Sequence, residues 1–271
     1  TMRPEPNVIV RLCSIECCFA HPFTECDDKP NQSFVEDVEG WSTICDRLWV
    51  WDYCTSFRHY LVPFPNLRVR APNIRFFVDH NVRGIFEQDV YNTRHGELSP
   101  LSGYLGAKLL WDPDYDPEQA IDEFLVGVYG DAAQPIREYL DLIHDRVEDD
   151  NIHMNIWIGP DHKQFTDELL ARADALWTIA EAAVADEPEV RERVRVARLS
   201  VDYAILERMR QRGRDAYTVD VDAGTITLDS AFLARAERFF DVAEGCGLSR
   251  LREHGCSLAQ YKQMVQAMID A

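Results

Sequence analysis

Apolar and polar positions follow two different rhythms along this chain, and the change of rhythm falls near residue 112. Before it, short apolar runs of strand length alternate with longer stretches in which apolar residues recur every three or four positions. Residues 8–16 and 48–52 and the run from Gly84 to Glu87 read as strands. Between and after them, helices are predicted over 33–46, with Phe34, Val38, Trp41 and Cys45 inward, over 71–80, and over 99–111. Ser33 and Glu36 have capping-box spacing for the first of these. Strand, helix, strand, helix, strand, helix is the order of βα units and implies parallel strands. Each predicted strand ends in polar groups: Glu16 after the first, Asp52 and Tyr53 after the second, Glu87 and Gln88 after the third.

Beyond Asp112 only the helical period persists. Asp116 caps a helix with Pro117 in its first turn and Gly130 as its stop. Further helices are predicted over 135–148, 162–185, 189–211, 230–244 and 257–270, with a hairpin at 217–228 turning at Gly224. The expected organisation is α/β over residues 1–112, followed by an α-helical domain over 113–271 with a small β-hairpin. Three parallel strands cannot close a (β/α)8 barrel, which takes about 250 residues. The pattern therefore predicts the last three βα units of a TIM barrel whose amino-terminal segment lies outside this chain, and Thr1 before Met2 reads the same way.

Composition narrows the partners. A formal charge of -19 opposes a nucleic-acid backbone, and no apolar run is long enough to span a membrane. With 46% hydrophobic residues the chain is folded rather than disordered. The eight cysteines lack any C-x-x-C pair, so a zinc site has little support and neither a metal nor a cofactor is expected. Cys13 and Cys45 read as small buried hydrophobes, which favours a reducing, cytoplasmic compartment. The acidic run from Asp112 to Asp116 lacks the glycine and the closing glutamate of a calcium loop and reads as a helix entry.

Carboxylates gathered at the ends of barrel strands are the equipment of glycoside hydrolysis, where one donates a proton and another stabilises or attacks the sugar carbon. Glu16, Asp52 and Glu87 are the candidate catalytic residues on that basis. Trp51, Tyr53 and Tyr91 supply rings for a sugar face, and His59 and Gln88 supply hydrogen bonds. The rival expectations are a non-catalytic carbohydrate-binding protein and, for the helical half, a dimerisation module.

The segments NVIVRLCSIEC (7–17), WDYCTSFRHY (51–60), PFPNL (63–67), GIFEQ (84–88) and AKLLWDP (107–113) carry a family resemblance. They resemble a bacterial family described as domain of unknown function 4838, densely over residues 4–145 and thinly beyond. That family looks like the one containing glycoside hydrolase family 163, endo-acting β-N-acetylglucosaminidases on N-glycans, and is more distantly similar to α-glucuronidases. The resemblance implies a (β/α)8 barrel with part of the active site on upstream strands. It also implies a glycan substrate whose own acetamido group serves as nucleophile. Glu16, Asp52 and Glu87 would then line or complete a pocket rather than contain the whole catalytic pair.

Overall fold

The computed structural model describes residues 3–213, 216–220 and 225–270. Strands β1 (Val10–Cys13), β2 (Leu48–Tyr53) and β3 (Val82–Gln88) form a parallel sheet in the order β1-β2-β3. Helices α1 (Lys29–Ser42), α2 (Leu67–Asp79) and α3 (Ser99–Trp111) follow the strands in turn. The chain is thus α/β with a small three-stranded sheet and a predominance of helix.

α1 begins earlier than its sequence suggests. Pro30 stands in the first turn, where its missing N–H costs nothing, and Asn31 is recruited elsewhere. The buried Asn31 amide accepts from Cys18 N at 2.6 Å and donates to Cys18 O at 3.0 Å, pinning the loop after β1 to the helix start. α2 also starts early and carries Pro72 within it. A one-residue register shift separates the pairs Leu48↔Val82 and Trp49↔Gly84. Trp49 lies over Gly84 so closely that a Cβ there would sit 2.7 Å from the indole, so only glycine admits the ring.

The sheet has two unlike faces, because side chains alternate along a strand. Leu48, Val50 and Asp52 point to the helices and are buried. Trp49, Trp51 and Tyr53 point the other way. That opposite face is open at Trp49 and Phe86, which are 42% and 48% exposed, while Tyr53 at its carboxyl end is buried. Cys13 is exposed there too, which corrects its reading as a buried hydrophobe; Cys45 is buried as expected.

The rest is helical: α4 (Pro117–Tyr129), α5 (Ala133–Asp149), α6 (Asp167–Ala183), α7 (Pro188–Arg212), α8 (Ser230–Gly245) and α9 (Leu258–Ile269). Asp116 caps α4 by accepting from Glu118 N at 2.9 Å and from Gln119 N at 3.4 Å. The antiparallel strands β4 (Tyr217–Asp220) and β5 (Thr225–Leu228) pair as the pattern predicts; the turn at Gly224 lies outside the described residues. No helix among the described residues is long and apolar enough to cross a membrane.

Packing ignores the change of rhythm at residue 112. Both apolar clusters draw on each side of it: Phe19, Val50 and Phe77 share one with Tyr203, Phe239 and Tyr261, while Ile74 and Leu105 share the other with Ile136 and Trp177. The helical half also orders the loops at the strand ends. Phe19 N donates to Met154 O at 2.7 Å, Phe57 N to Ile156 O at 2.8 Å and Glu253 N to Phe57 O at 3.0 Å.

Candidate functional site at the strand ends

The parallel register sets Asp52 beside Glu87 and Tyr53 beside Gln88 at the carboxyl edge of the sheet. Alternation then splits these four between the two faces. Asp52 and Glu87 go to the helix side and enter a buried polar cluster. Ser14 donates to Asp52 Oδ1 at 2.5 Å, and Cys54 donates to Glu87 Oε2 at 3.0 Å. Arg70, from α2, reaches Glu87 Oε2 at 3.3 Å and ties itself to α3 through Ser102 O at 2.6 Å. Burial, and then the charge of Glu87, push Asp52 up to about 7, against the opposing pull of the Ser14 hydroxyl. The nearby Asp89 is likewise raised by burial.

The open face carries the rings. Trp51 and Tyr53 stack at 6.3 Å between centroids and 22° between planes. Phe86 meets Trp51 edge-on at 5.4 Å, and the Arg11 guanidinium sits 4.7 Å over the indole. Trp51 Nε1 donates to Gln88 Oε1 at 2.7 Å, which leaves the Gln88 amide N–H groups directed elsewhere. The Tyr53 hydroxyl lies 3.2 Å from Cys13 Sγ.

Of the three predicted carboxylates, Asp52 and Glu87 are thus brought together. Glu16 is exposed in the turn after β1. Tyr91 is exposed at the rim and donates to Glu253 Oε1 at 3.1 Å. His59 is not in this neighbourhood. It is buried against α7, its Nδ1 2.7 Å from the Tyr203 hydroxyl. Burial, with Arg252 nearby, holds its imidazole down to about 4, so it is a neutral packing group at ordinary pH.

Several residues of the neighbourhood have no signal in the sequence. Ser14 and Arg70 join the buried pair only through tertiary contact, and Glu253 arrives at the rim from the helical half.

A second constellation lies apart from the residues singled out in the sequence and could hold a metal ion. Cys18, His21, Cys26 and His153 bring one ligand atom each to within 4.8 Å of the others. The sequence lacks C-x-x-C because one histidine, His21, takes the second position, and the fourth member lies 127 residues from Cys26. Cys18 is pulled down to about 4, first by a hydrogen bond from Cys26 and, against its burial, by the backbone N–H groups of Met154 and Ala20. Cys26 is raised, first by the same hydrogen bond with Cys18 and then by burial.

The sequence profile of one family, a domain of unknown function (DUF4838), matches residues 1–141, which is more than half of the chain. The chain belongs to the DUF4838 family. No curated protein and no solved structure matches it. The DUF4838 match takes in the whole parallel sheet, α1 to α4 and about half of α5. Three members of the cysteine–histidine cluster fall inside the DUF4838 region and His153 falls beyond it, as does Glu253.

Proposed function

We propose that this chain supplies the carboxyl-terminal βα units of a (β/α)8 barrel to a glycoside hydrolase, and that it lines the sugar pocket rather than completing it. The observation that carries this reading is the bare aromatic face of the sheet. Parallel sheets are covered on both faces in folded proteins, because their strands are apolar on both sides. Here helices cover one side, while Trp49 and Phe86 on the other stand 42% and 48% exposed. In a closed (β/α)8 barrel that second face is the packed interior, and its carboxyl end is the mouth of the active site.

At that mouth the side chains suit a sugar. Trp51 offers a ring face for the C–H surface of a pyranose, backed by the buried Tyr53. Gln88 offers amide donors for hydroxyl groups, while Tyr91 and Glu253 stand at the rim. Glu16 is the predicted carboxylate with a solvent-exposed position from which to act. Asp52 and Glu87 act as supports, holding the strand ends to α2 through Arg70. The resemblance of the family to endo-β-N-acetylglucosaminidases favours a β-linked N-acetylhexosamine in a complex glycan. The turning of Asp52 and Glu87 toward the helices also favours a second reading, a carbohydrate-binding protein without hydrolytic activity.

The test joins this chain to its upstream segment and measures glycan binding and product release on one preparation. Trp51→Ala is expected to weaken glycan affinity about tenfold, the value of one aromatic contact of about 1.4 kcal/mol. Release of product supports the hydrolase, and binding without product supports the second reading. Absence of both, or full affinity in Trp51→Ala, removes the sugar reading altogether.

A further inference from the structure

We propose that Cys18, His21, Cys26 and His153 form a structural zinc site that staples the loop after β1 to the segment after α5. Three of the six distances between ligand atoms are close to a tetrahedron's edges, and all six are within 4.8 Å. Zinc bonds of about 2.3 Å to sulfur and about 2.05 Å to nitrogen give sulfur–nitrogen edges of about 3.6 Å. His21 Nδ1 lies 3.6 Å from Cys18 Sγ and 4.0 Å from Cys26 Sγ, and His153 Nδ1 lies 3.5 Å from Cys26 Sγ.

The surroundings orient the ligands as they do around a metal. Cys18 Sγ accepts from Ala20 N at 3.4 Å and Met154 N at 3.3 Å, which stabilises a thiolate. His153 turns Nδ1 inward because its other nitrogen, Nε2, is held 3.0 Å from Asp27 Oδ1. Asp27 is itself fixed by the Asn151 amide at 3.3 Å. A carboxylate on the far nitrogen of a ligating imidazole fixes its tautomer and raises its basicity.

The donor set and its compactness select the metal. Two thiolates and two imidazoles in a tetrahedron suit zinc, whereas magnesium and calcium require oxygen. An iron–sulfur cluster with two cysteines and two histidines spreads them over two irons, too wide for four atoms that all lie within 4.8 Å of one another. Four protein ligands leave no open position, so the role is structural rather than catalytic. What the ion would hold is clear from its neighbours. Phe19, next to Cys18, packs 6.2 Å from Tyr53 and donates its N–H to Met154 O, next to His153. The staple therefore braces the Tyr53 side of the strand-end mouth against the helical half, and it stands whether or not a sugar binds there.

The experiment is metal analysis of the purified full chain with a cobalt substitution. The expected result is one zinc per chain. After stripping with a chelator, cobalt should restore tetrahedral d–d bands and a thiolate-to-cobalt charge-transfer band, and zinc, but not magnesium, should restore the unfolding temperature. Cys26→Ser and His153→Ala should lower zinc content at least tenfold. Cys17→Ala should leave zinc content unchanged, because the buried Cys17 thiol turns away toward Pro30 O. Should the ligand variants fail to fold, the wild-type cobalt spectrum decides by itself. Cobalt bound without a charge-transfer band, no stoichiometric uptake of zinc, or equal loss of zinc in Cys17→Ala overturns the proposal.

Discussion

Asp52 shows how one buried side chain sets a pH dependence. Its carboxyl titrates near 3.8 when unfolded and is raised to about 7 in the fold by burial and by Glu87. Between those values the folded state binds more protons, so stability falls as pH rises through the window. His59 and His144 work in the opposite sense. Each is held down to about 4 by burial, so their contribution is present above the ordinary histidine range and is lost as pH falls toward 4. A comparison of variant with wild type cancels the histidines. Asp52→Asn is expected to be more stable than wild type by up to about 4 kcal/mol at about pH 8, with the gain gone near pH 4. Urea midpoints at the two pH values measure this, and equal gains at both would show that the buried proton is not the cause. Asp52 was legible as a strand-end carboxylate, but its direction was not. The residue before or after it in a strand points to the opposite face, and no local pattern says which face will meet helices.

Among the elements, the loop following β2 is the hinge of the assembly. Phe57 N donates to Ile156 O and Tyr60 N to Leu251 O, Glu253 N donates back to Phe57 O, Ser56 Oγ donates to Ile158 O, and the His59 side chain packs on α7. Tyr203→Phe removes the hydroxyl 2.7 Å from His59 Nδ1. It should cost about 1 kcal/mol in chemical denaturation while leaving any glycan affinity intact, since His59 lies away from the open face. A loss of affinity in Tyr203→Phe would return His59 to the binding site. Helix ends were the best-read features at this scale. Asp116, Pro117 and Gly130 act locally, within one turn, and stand where capping chemistry puts them. The start of α1 was misread because Ser33 and Glu36 mimic a capping box, whereas Pro30 in the first turn and the tertiary use of Asn31 move the boundary.

The helical half is held together by buried ion pairs as well as by its apolar clusters. Asp202 of α7 is 2% exposed and accepts from Arg235 Nη1 at 2.5 Å and from Arg238 Nε at 3.0 Å. Arg198 of α7 and Arg235 of α8 both reach Asp174 of α6, at 2.8 and 2.7 Å. Burial alone would raise Asp174, yet the hydrogen bonds of Arg235 and then Arg198 take it down to about 2. The network therefore bridges three helices. Asp202→Ala leaves two arginines facing each other without their shared anion and should cost about 3–5 kcal/mol of folding stability. Thermal or urea unfolding of the whole chain checks this, and a loss below about 1 kcal/mol would mean that the charges are satisfied by water instead.

Periodicity, capping residues and turn chemistry act over a few residues, and the order of βα units, the helical half and the family membership were determined by the sequence alone. The facing of the strand-end side chains was decided only by tertiary packing, because alternation distributes Asp52 and Trp51 to opposite sides without labelling the sides. The same holds for the cysteine–histidine cluster. Cys18, His21 and Cys26 are near neighbours in the chain, but His153 joins them only because α5 ends beside the loop after β1, and that proximity is a product of the shared apolar core.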